Sequence, residues 1–561
     1  MIMYNKSTDK INLQYIARIC ALKGMRHVVI SPGSRNAPLI IAFNRESSIR
    51  THVIVDERSA AYFALGMAQQ TGEPVGVICT SGTALLNYAP AVAEAYYQRV
   101  PLLVISADRP AEWIDQDDSQ TIRQPGALAQ VVKCSYQLPV ESTQKDDVWY
   151  VNRCVNDAIN CMMSDRKGPV HLNIPLSEPL CGLADKIVEE PRVFDKISGG
   201  SALSPEDLGM LSERIAASSA VMILASMHSP SQALENALSA LSRHENVIVL
   251  TETVSNLKNP SFINNIDRNL CRMTDGNKER LMPELLISFG GPLISKFLKT
   301  RFKDNPPVEH WYIGVEDHAI DTFCHLSRQL DISPERFFSA LGPLVRNNPD
   351  ASYKKEWMEL EAYSDMRHRD FIADLPWSDL KAFSRIIPSL PTGSRLQLSN
   401  GTCVRYHQLF KGCNVSQVNS NRGTSGIDGS TSTAAGASAV FDGVTTLITG
   451  DISFLYDSNG LWNRKLSPNL KIIVMNNGGG GIFRFIKGPS DVEELEEFFE
   501  TPHGLDFSKI AALYSLDYFS AENEEELEAA LPLLYESPRP AILDVKTPND
   551  LNAQILRAYF K

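Results

Sequence analysis

Two stretches of the sequence are built alike, and that repetition limits the fold more than any other feature. The first runs ALGMAQQ (64–70), PVGVICTSG (74–82), NYAPAVAEAYYQRV (87–100) and PLLVISADRP (101–110). The second runs TAAGASAV (433–440), VTTLITGD (444–451), YDSNGLWNRKL (456–466) and LKIIVMNNGG (470–479). Each reads as a small-residue helix, a buried strand, a turn with glycine, a helix and a second buried strand, the unit of a doubly wound α/β sheet. Gly82 to Asp108 and Asp451 to Asn477 are equally spaced, 26 positions each. Between the repeats, VMILAS (221–226), VIVL (247–250) and LLISFGG (285–291) predict a third α/β unit. Breaks rich in Pro, Gly, Ser and charge fall at 189–207 and 346–357. A chain of 561 residues is too long for one core. The expected fold is α/β with three doubly wound domains, two related ones flanking a central one, at residues 1–188, 205–345 and 370–561.

A net charge of −12 argues against a general nucleic-acid binder. The ten cysteines include no CxxC pair, so the reading is a reducing, cytoplasmic protein without a zinc site or disulfide framework. The start, MIMYNKSTDKINLQYIARIC, is broken by charges and does not read as a signal peptide, and no apolar run reaches membrane-span length. The middle third carries no GxGxxG, which removes the sequence support for a bound dinucleotide.

The aliphatic run before Asn476 and Asn477 ends in four glycines. Such a join is either a tight strand-to-helix turn or a strand end where a ligand approaches the backbone. Asp451 stands after the preceding strand, at the carboxyl edge where open α/β sheets bind ligands. One carboxylate, the Asn477 amide oxygen and a glycine carbonyl, Gly479, are hard oxygen donors suited to Mg²⁺ or Mn²⁺. The glycine N–H groups are suited to cradling a diphosphate.

GD followed some 25 residues later by NN resembles the diphosphate-binding motif of thiamine diphosphate-dependent enzymes. DERSAAYFALGMA places Glu57 at the start of a small-residue helix, where that family has the glutamate that touches the aminopyrimidine ring. A carboxyl shielded from water shares a proton with a ring nitrogen better than an exposed one does. The resemblance implies Glu57 as the catalytic residue and thiamine diphosphate with Mg²⁺ or Mn²⁺ as cofactors. It implies Ile427 as the apolar prop that bends the cofactor, with Ile452, Ser453, Ile482 and Phe483 beside it. It also implies a homodimer or homotetramer with active sites at the chain interface.

The general motif reads GDG, whereas Ile452 takes the third place here. With SPGSRNAPL (31–39), TSGTALLN (80–87), SQTIRQPG (119–126) and SNRGTSGIDGSTSTAAG (420–436), the chain is similar to the menaquinone-pathway branch of that family. That branch decarboxylates 2-oxoglutarate and adds the succinyl carbanion equivalent to isochorismate. Both substrates are strongly anionic, and arginine offers carboxylates a planar bidentate partner. Ser34 and Arg35 follow a Ser-Pro-Gly turn expected to open a helix, and Arg109 ends a strand. The resemblance adds Gln120, Lys296, Asn400, Arg405 and Arg422 as substrate binders. Arg123 and Lys296 also suit a solvated ion pair. The branch commonly has serine where Gly401 stands, so that hydroxyl contact is missing or comes from Ser399 or Thr402. Another 2-oxo acid carboligase, such as an acetolactate synthase-like enzyme, is the alternative.

Overall fold

A computed structural model describes residues 5–140, 143–349, 351–412 and 414–561. A short ribbon pairs β1 (Lys6–Thr8) with β8 (Leu183–Asp185). The first sheet contains β2 (His27–Ile30), β3 (Arg50–Val53), β4 (Val75–Cys79), β5 (Leu102–Asp108), β6 (Ser135–Gln137) and β7 (Val170–Pro175). The second contains β9 (Val221–Ala225), β10 (Val247–Thr251), β11 (Leu285–Phe289), β12 (Glu309–Ile313) and β13 (Arg328–Leu330). The third contains β14 (Arg395–Leu398), β15 (Gln417–Ser420), β16 (Thr445–Gly450), β17 (Leu470–Asn476), β18 (Asp517–Ala521) and β19 (Ala541–Lys546). All pairings within these three sheets are parallel.

The outer sheets run β3-β2-β4-β5-β7-β6 and β15-β14-β16-β17-β19-β18, one order repeated. The repeat in the sequence is thus a repeat of topology. Strands covered on both faces read as unbroken apolar runs. Accordingly β4 and β5 are buried at every residue, as is β17 up to Met475.

Two helices join the halves. Glu57–Thr71 is capped by Asp56, which accepts from Ser59 N–H (3.1 Å), and it packs on Ser430–Ser438. A Cβ on Gly66 would lie 1.9 Å from Thr433 O, and one on Gly436 would lie 1.9 Å from Phe63 O. The two backbones therefore touch directly, and residues of both halves form one core, Tyr62, Phe63 and Leu65 with Ala434, Leu447 and Phe454.

Two local expectations change. The stretch 456–466 is not a helix. The helix after β16 begins at Asp451 and ends at Tyr456, and a 3₁₀ turn, Ser458–Leu461, follows. Buried Asp457 turns back to accept from the N–H (2.7 Å) and hydroxyl (2.8 Å) of Ser432, which draws the chain out of the helix. The helix after SPGSR starts at Ala37, because Asn36 is engaged with Gly33 N–H (3.0 Å) and Ser31 O (2.8 Å). Ser34 and Arg35 consequently sit in the turn ahead of the helix.

Candidate active site

Strands β16 and β17 are neighbours, so their carboxyl ends place Asp451 beside the glycine loop. Asp451 is 2% exposed. Its Oδ2 accepts from Gly478 N–H (2.7 Å) and Gly479 N–H (3.0 Å), and its Oδ1 from Ile452 N–H (2.7 Å). Asn477 follows β17 and donates from Nδ2 to Asp379 (3.3 Å), while its buried Oδ1 has no partner among the described residues. Burial pushes the Asp379 carboxyl up to about 6, against hydrogen bonds from Thr547 and Asn477. Ser453 donates to Ile427 O (2.7 Å), which fixes the loop whose Ile427 side chain stands 40% exposed. Ile482 opens the short helix after the loop, and Phe483 packs on Phe499 with centroids 5.6 Å apart.

A divalent cation fits here on chemical grounds. A fixed carboxylate, an unpaired amide oxygen and nearby backbone carbonyls form a hard-oxygen set, while the four glycine N–H groups of the loop are engaged by Asp451, Glu500 O and Gly479 O. Among the described residues no three His, Cys, Asp or Glu side chains cluster as a metal site.

Ile482 also lines a cavity of about 710 Å³ with Lys296, Asp267, Arg405, Phe297 and Phe485. Arg405 donates to Gly401 O, and burial together with neighbouring Arg422 lowers its guanidinium to about 10. Arg422 donates to Asn400 Oδ1 (3.0 Å), and Asn400 Nδ2 holds Asn421 O and Gly426 O (2.6 Å each). Lys296 is exposed at the first position of its helix. Gly401 has φ +89°, a backbone conformation that serine adopts only with strain.

The amino-terminal half holds the remaining candidates. Glu57 is half-buried, and its charge acts on buried Cys79 and Tyr88, whose hydroxyl donates to Ser31 Oγ (3.2 Å). Arg35 is buried on Leu176 O (3.0 Å) and Glu178 (3.3 Å), apart from exposed Ser34. Arg109 pairs with Asp118 (2.9 Å) and Ser119 O (3.0 Å), and the next residue, Gln120, is exposed. Arg123 pairs with Asp115 at the surface (2.7 Å). Arg58, beside Glu57, donates to Tyr456 O (2.9 Å) at the far end of the helix that Asp451 begins. One chain thus gathers Asp451, Asn477, Asn400, Arg405, Arg422, Lys296 and Ile482 around the glycine loop and cavity. Glu57, Arg35, Arg109 and Gln120 do not line that cavity.

The sequence profile described as thiamine pyrophosphate enzyme, N-terminal TPP binding domain, matches residues 13–127, and its C-terminal TPP binding domain counterpart matches 401–545. A 2-succinyl-5-enolpyruvyl-6-hydroxy-3-cyclohexene-1-carboxylate synthase of Porphyromonas gingivalis is 43% identical over 99% of this chain and 97% of its own length. Synthases of the same name from Flavobacterium psychrophilum (41%; 98% of each chain) and Bacteroides thetaiotaomicron (36%; 99% of each) match along the whole chain too. The chain belongs to this synthase family of thiamine pyrophosphate enzymes.

In this synthase-family chain, four acidic or basic residues near the site carried no sequence motif. Buried Glu94 accepts from Gly423 N–H (2.6 Å) and Thr424 N–H (2.7 Å), clamping the loop of Arg422. Glu252 accepts from Ile294 N–H and Ser295 N–H (2.8 Å each), and burial pushes it up to about 7. Asp267 accepts from Ser295 Oγ, and burial raises it to about 6. His503 lies 3.3 Å from Asp451. An acid among alanines in PAVAEAYY was the one usable signal, since that helical face is buried.

Among the described residues no helix is long and apolar enough to cross a membrane.

Proposed function

We propose that this chain decarboxylates 2-oxoglutarate and adds the succinyl unit 1,4 to isochorismate, giving 2-succinyl-5-enolpyruvyl-6-hydroxy-3-cyclohexene-1-carboxylate and CO₂ in menaquinone biosynthesis. The observation that carries the reading is the strand-end pair of Asp451, held by three backbone amides, and Asn477, with its unpaired oxygen, beside a cavity bearing Arg405 and Lys296.

Thiamine diphosphate, when bound, supplies the carbon nucleophile and electron sink for decarboxylation. Asp451, the Asn477 amide oxygen and the Gly479 carbonyl would hold Mg²⁺ or Mn²⁺, and the glycine N–H groups would meet the diphosphate by exchanging their present partners Asp451, Glu500 O and Gly479 O. Ile427, Ile452, Ser453, Ile482 and Phe483 shape the cofactor pocket. Glu57 would hold a proton at its carboxyl for the aminopyrimidine ring. Ser34, Arg35, Arg109, Gln120, Lys296, Asn400, Arg405 and Arg422 bind and orient the anionic substrates, Arg35 and Arg109 by exchanging their present partners Glu178 and Asp118 for a substrate carboxylate. Residues 1–188 act as the pyrimidine domain, 205–345 as the central domain and 370–561 as the diphosphate domain.

A second copy, in a homodimer or homotetramer, brings Glu57 of one chain to the glycine loop of another. Exposed Val53 and Val55 near Glu57, and Leu505 and Leu513 beyond the loop, support such a contact. The nine described cysteines are free, in keeping with a reducing cytoplasm.

The test is isochorismate consumption by the purified protein with 2-oxoglutarate, thiamine diphosphate and Mg²⁺, each omitted in turn. Loss of isochorismate that needs all of them, with CO₂ release, is expected. Consumption of pyruvate in place of 2-oxoglutarate would overturn the substrate assignment and leave the cofactor site standing.

A further inference from the structure

His503 lies in a segment without a motif, and the fold carries it back over the glycine loop, where its backbone N–H donates to Gly478 O (3.0 Å). Its ring stacks on Phe507 with centroids 5.7 Å apart and planes 25° from parallel. Phe507 is itself fully buried against Phe454. The imidazole Nδ1 accepts from Leu505 N–H (3.3 Å), which assigns the ring proton to Nε2. Nε2 stands 3.3 Å from Asp451 Oδ2, and it makes no hydrogen bond of good geometry among the described residues. The side chain is 11% exposed.

Those contacts leave an N–H donor fixed in plane and tautomer and facing an oxygen that already accepts two amide protons. A nitrogen carrying its proton is not a metal ligand. Its stronger acceptor is an anionic oxygen with free lone pairs, and the cofactor reading above puts a diphosphate beside this loop. We infer that His503 is a cofactor-site residue that donates its Nε2 proton to a diphosphate oxygen of thiamine diphosphate. Without the anion, it only lies alongside the Asp451 carboxylate, 3.3 Å away. The inference rests on the cofactor reading above and adds a donor that the motif does not contain.

Isothermal titration of the purified protein with thiamine diphosphate and Mg²⁺ tests it, using His503→Ala, His503→Gln and Asp451→Ala beside the wild type. A lost hydrogen bond to a charged group predicts roughly 10-fold or more weaker binding for the alanine variant. Glutamine, whose amide nitrogen reaches about as far as Nε2, should stay within about 3-fold of the wild type. Alanine binding as tightly as the wild type, with Asp451→Ala defective, overturns the role of His503 alone. No binding by the wild type overturns both readings. Nitrogen NMR of the wild type's imidazoles adds a check that needs no variant. An Nε2-protonated ring whose proton signal moves on adding thiamine diphosphate is expected, and an Nδ1-protonated ring refutes the assignment.

Discussion

The two outer sheets have the same strand order but use equivalent strand ends in opposite ways. At the end of β16 the turn presents Asp451 on three amides, and at the end of β17 the Asn477 oxygen is left over. At the end of β4 the corresponding turn has no acid, and Gly82 N–H donates to Gln124 (2.8 Å). At the end of β5 the acid is consumed internally: Asp108 takes Asn173 Nδ2 (2.7 Å) and the amide of Arg109 (2.8 Å). The arginines divide in the same way. Arg35 and Arg109 are met by Glu178 and Asp118 of their own half, whereas the carboxyls that act on buried Arg405 and Arg422 come from elsewhere, Asp267 and Glu252 from the central domain and Glu94 from the amino-terminal half. A duplicated topology supplies the place for a ligand, and the side chain at the last position decides whether that place is spent or kept open.

If the halves divide the work as proposed, one handling the proton and the other holding the cofactor, Glu57→Gln separates the two tasks. Turnover should fall at least 100-fold while the thiamine diphosphate dissociation constant stays within about 3-fold. A proportional loss of both would erase the division.

The charge state of the central domain's Glu252, which faces Arg422, can be read from pH. Burial holds Glu252 at about 7, above the ordinary 4.5. Between those values the folded chain keeps a proton that the unfolded chain has released, so this contribution to stability is present at low pH and is lost as pH rises through 7. Glu252→Gln does not titrate and should gain on the wild type by roughly 1–3 kcal/mol between pH 4.5 and 8. Denaturant unfolding at both pH values measures it, and a difference that ignores pH would mean an ionised Glu252 paired with Arg422.

The smallest effect is expected at Gly401→Ser, which restores the hydroxyl common in the branch. With φ at +89° the substitution should cost about 1 kcal/mol and change turnover only a few-fold. A stabilised or much faster variant would show that the turn relaxes to receive the serine.

Strands such as β4, β5, β16 and β17 were legible because burial on both faces demands continuous apolar runs. Asp451 and Asn477 were legible because a strand end, a hard-oxygen donor and flexible glycines coincide locally. Glu94 was not, because its meaning comes from Gly423 and Thr424, 329 and 330 positions away. Glu252 and Asp267 likewise acquire theirs from Ser295 and the two arginines, and His503 from a loop that folds back. The helix expected at 456–466 failed for the same reason, since a distant serine turns Asp457 aside.

The crossing of Gly66 and Gly436 has a mechanical consequence. Side chains act as bearings between helices, letting one roll or slide over another by changing rotamer. Here a methyl group would already collide with backbone, so the joint has no such bearing. The outer halves of one chain are coupled as a single stiff block. The glycine loop and the 495–504 segment folded over it lie outside that joint and are held to each other by Gly480 N–H to Glu500 O and His503 N–H to Gly478 O.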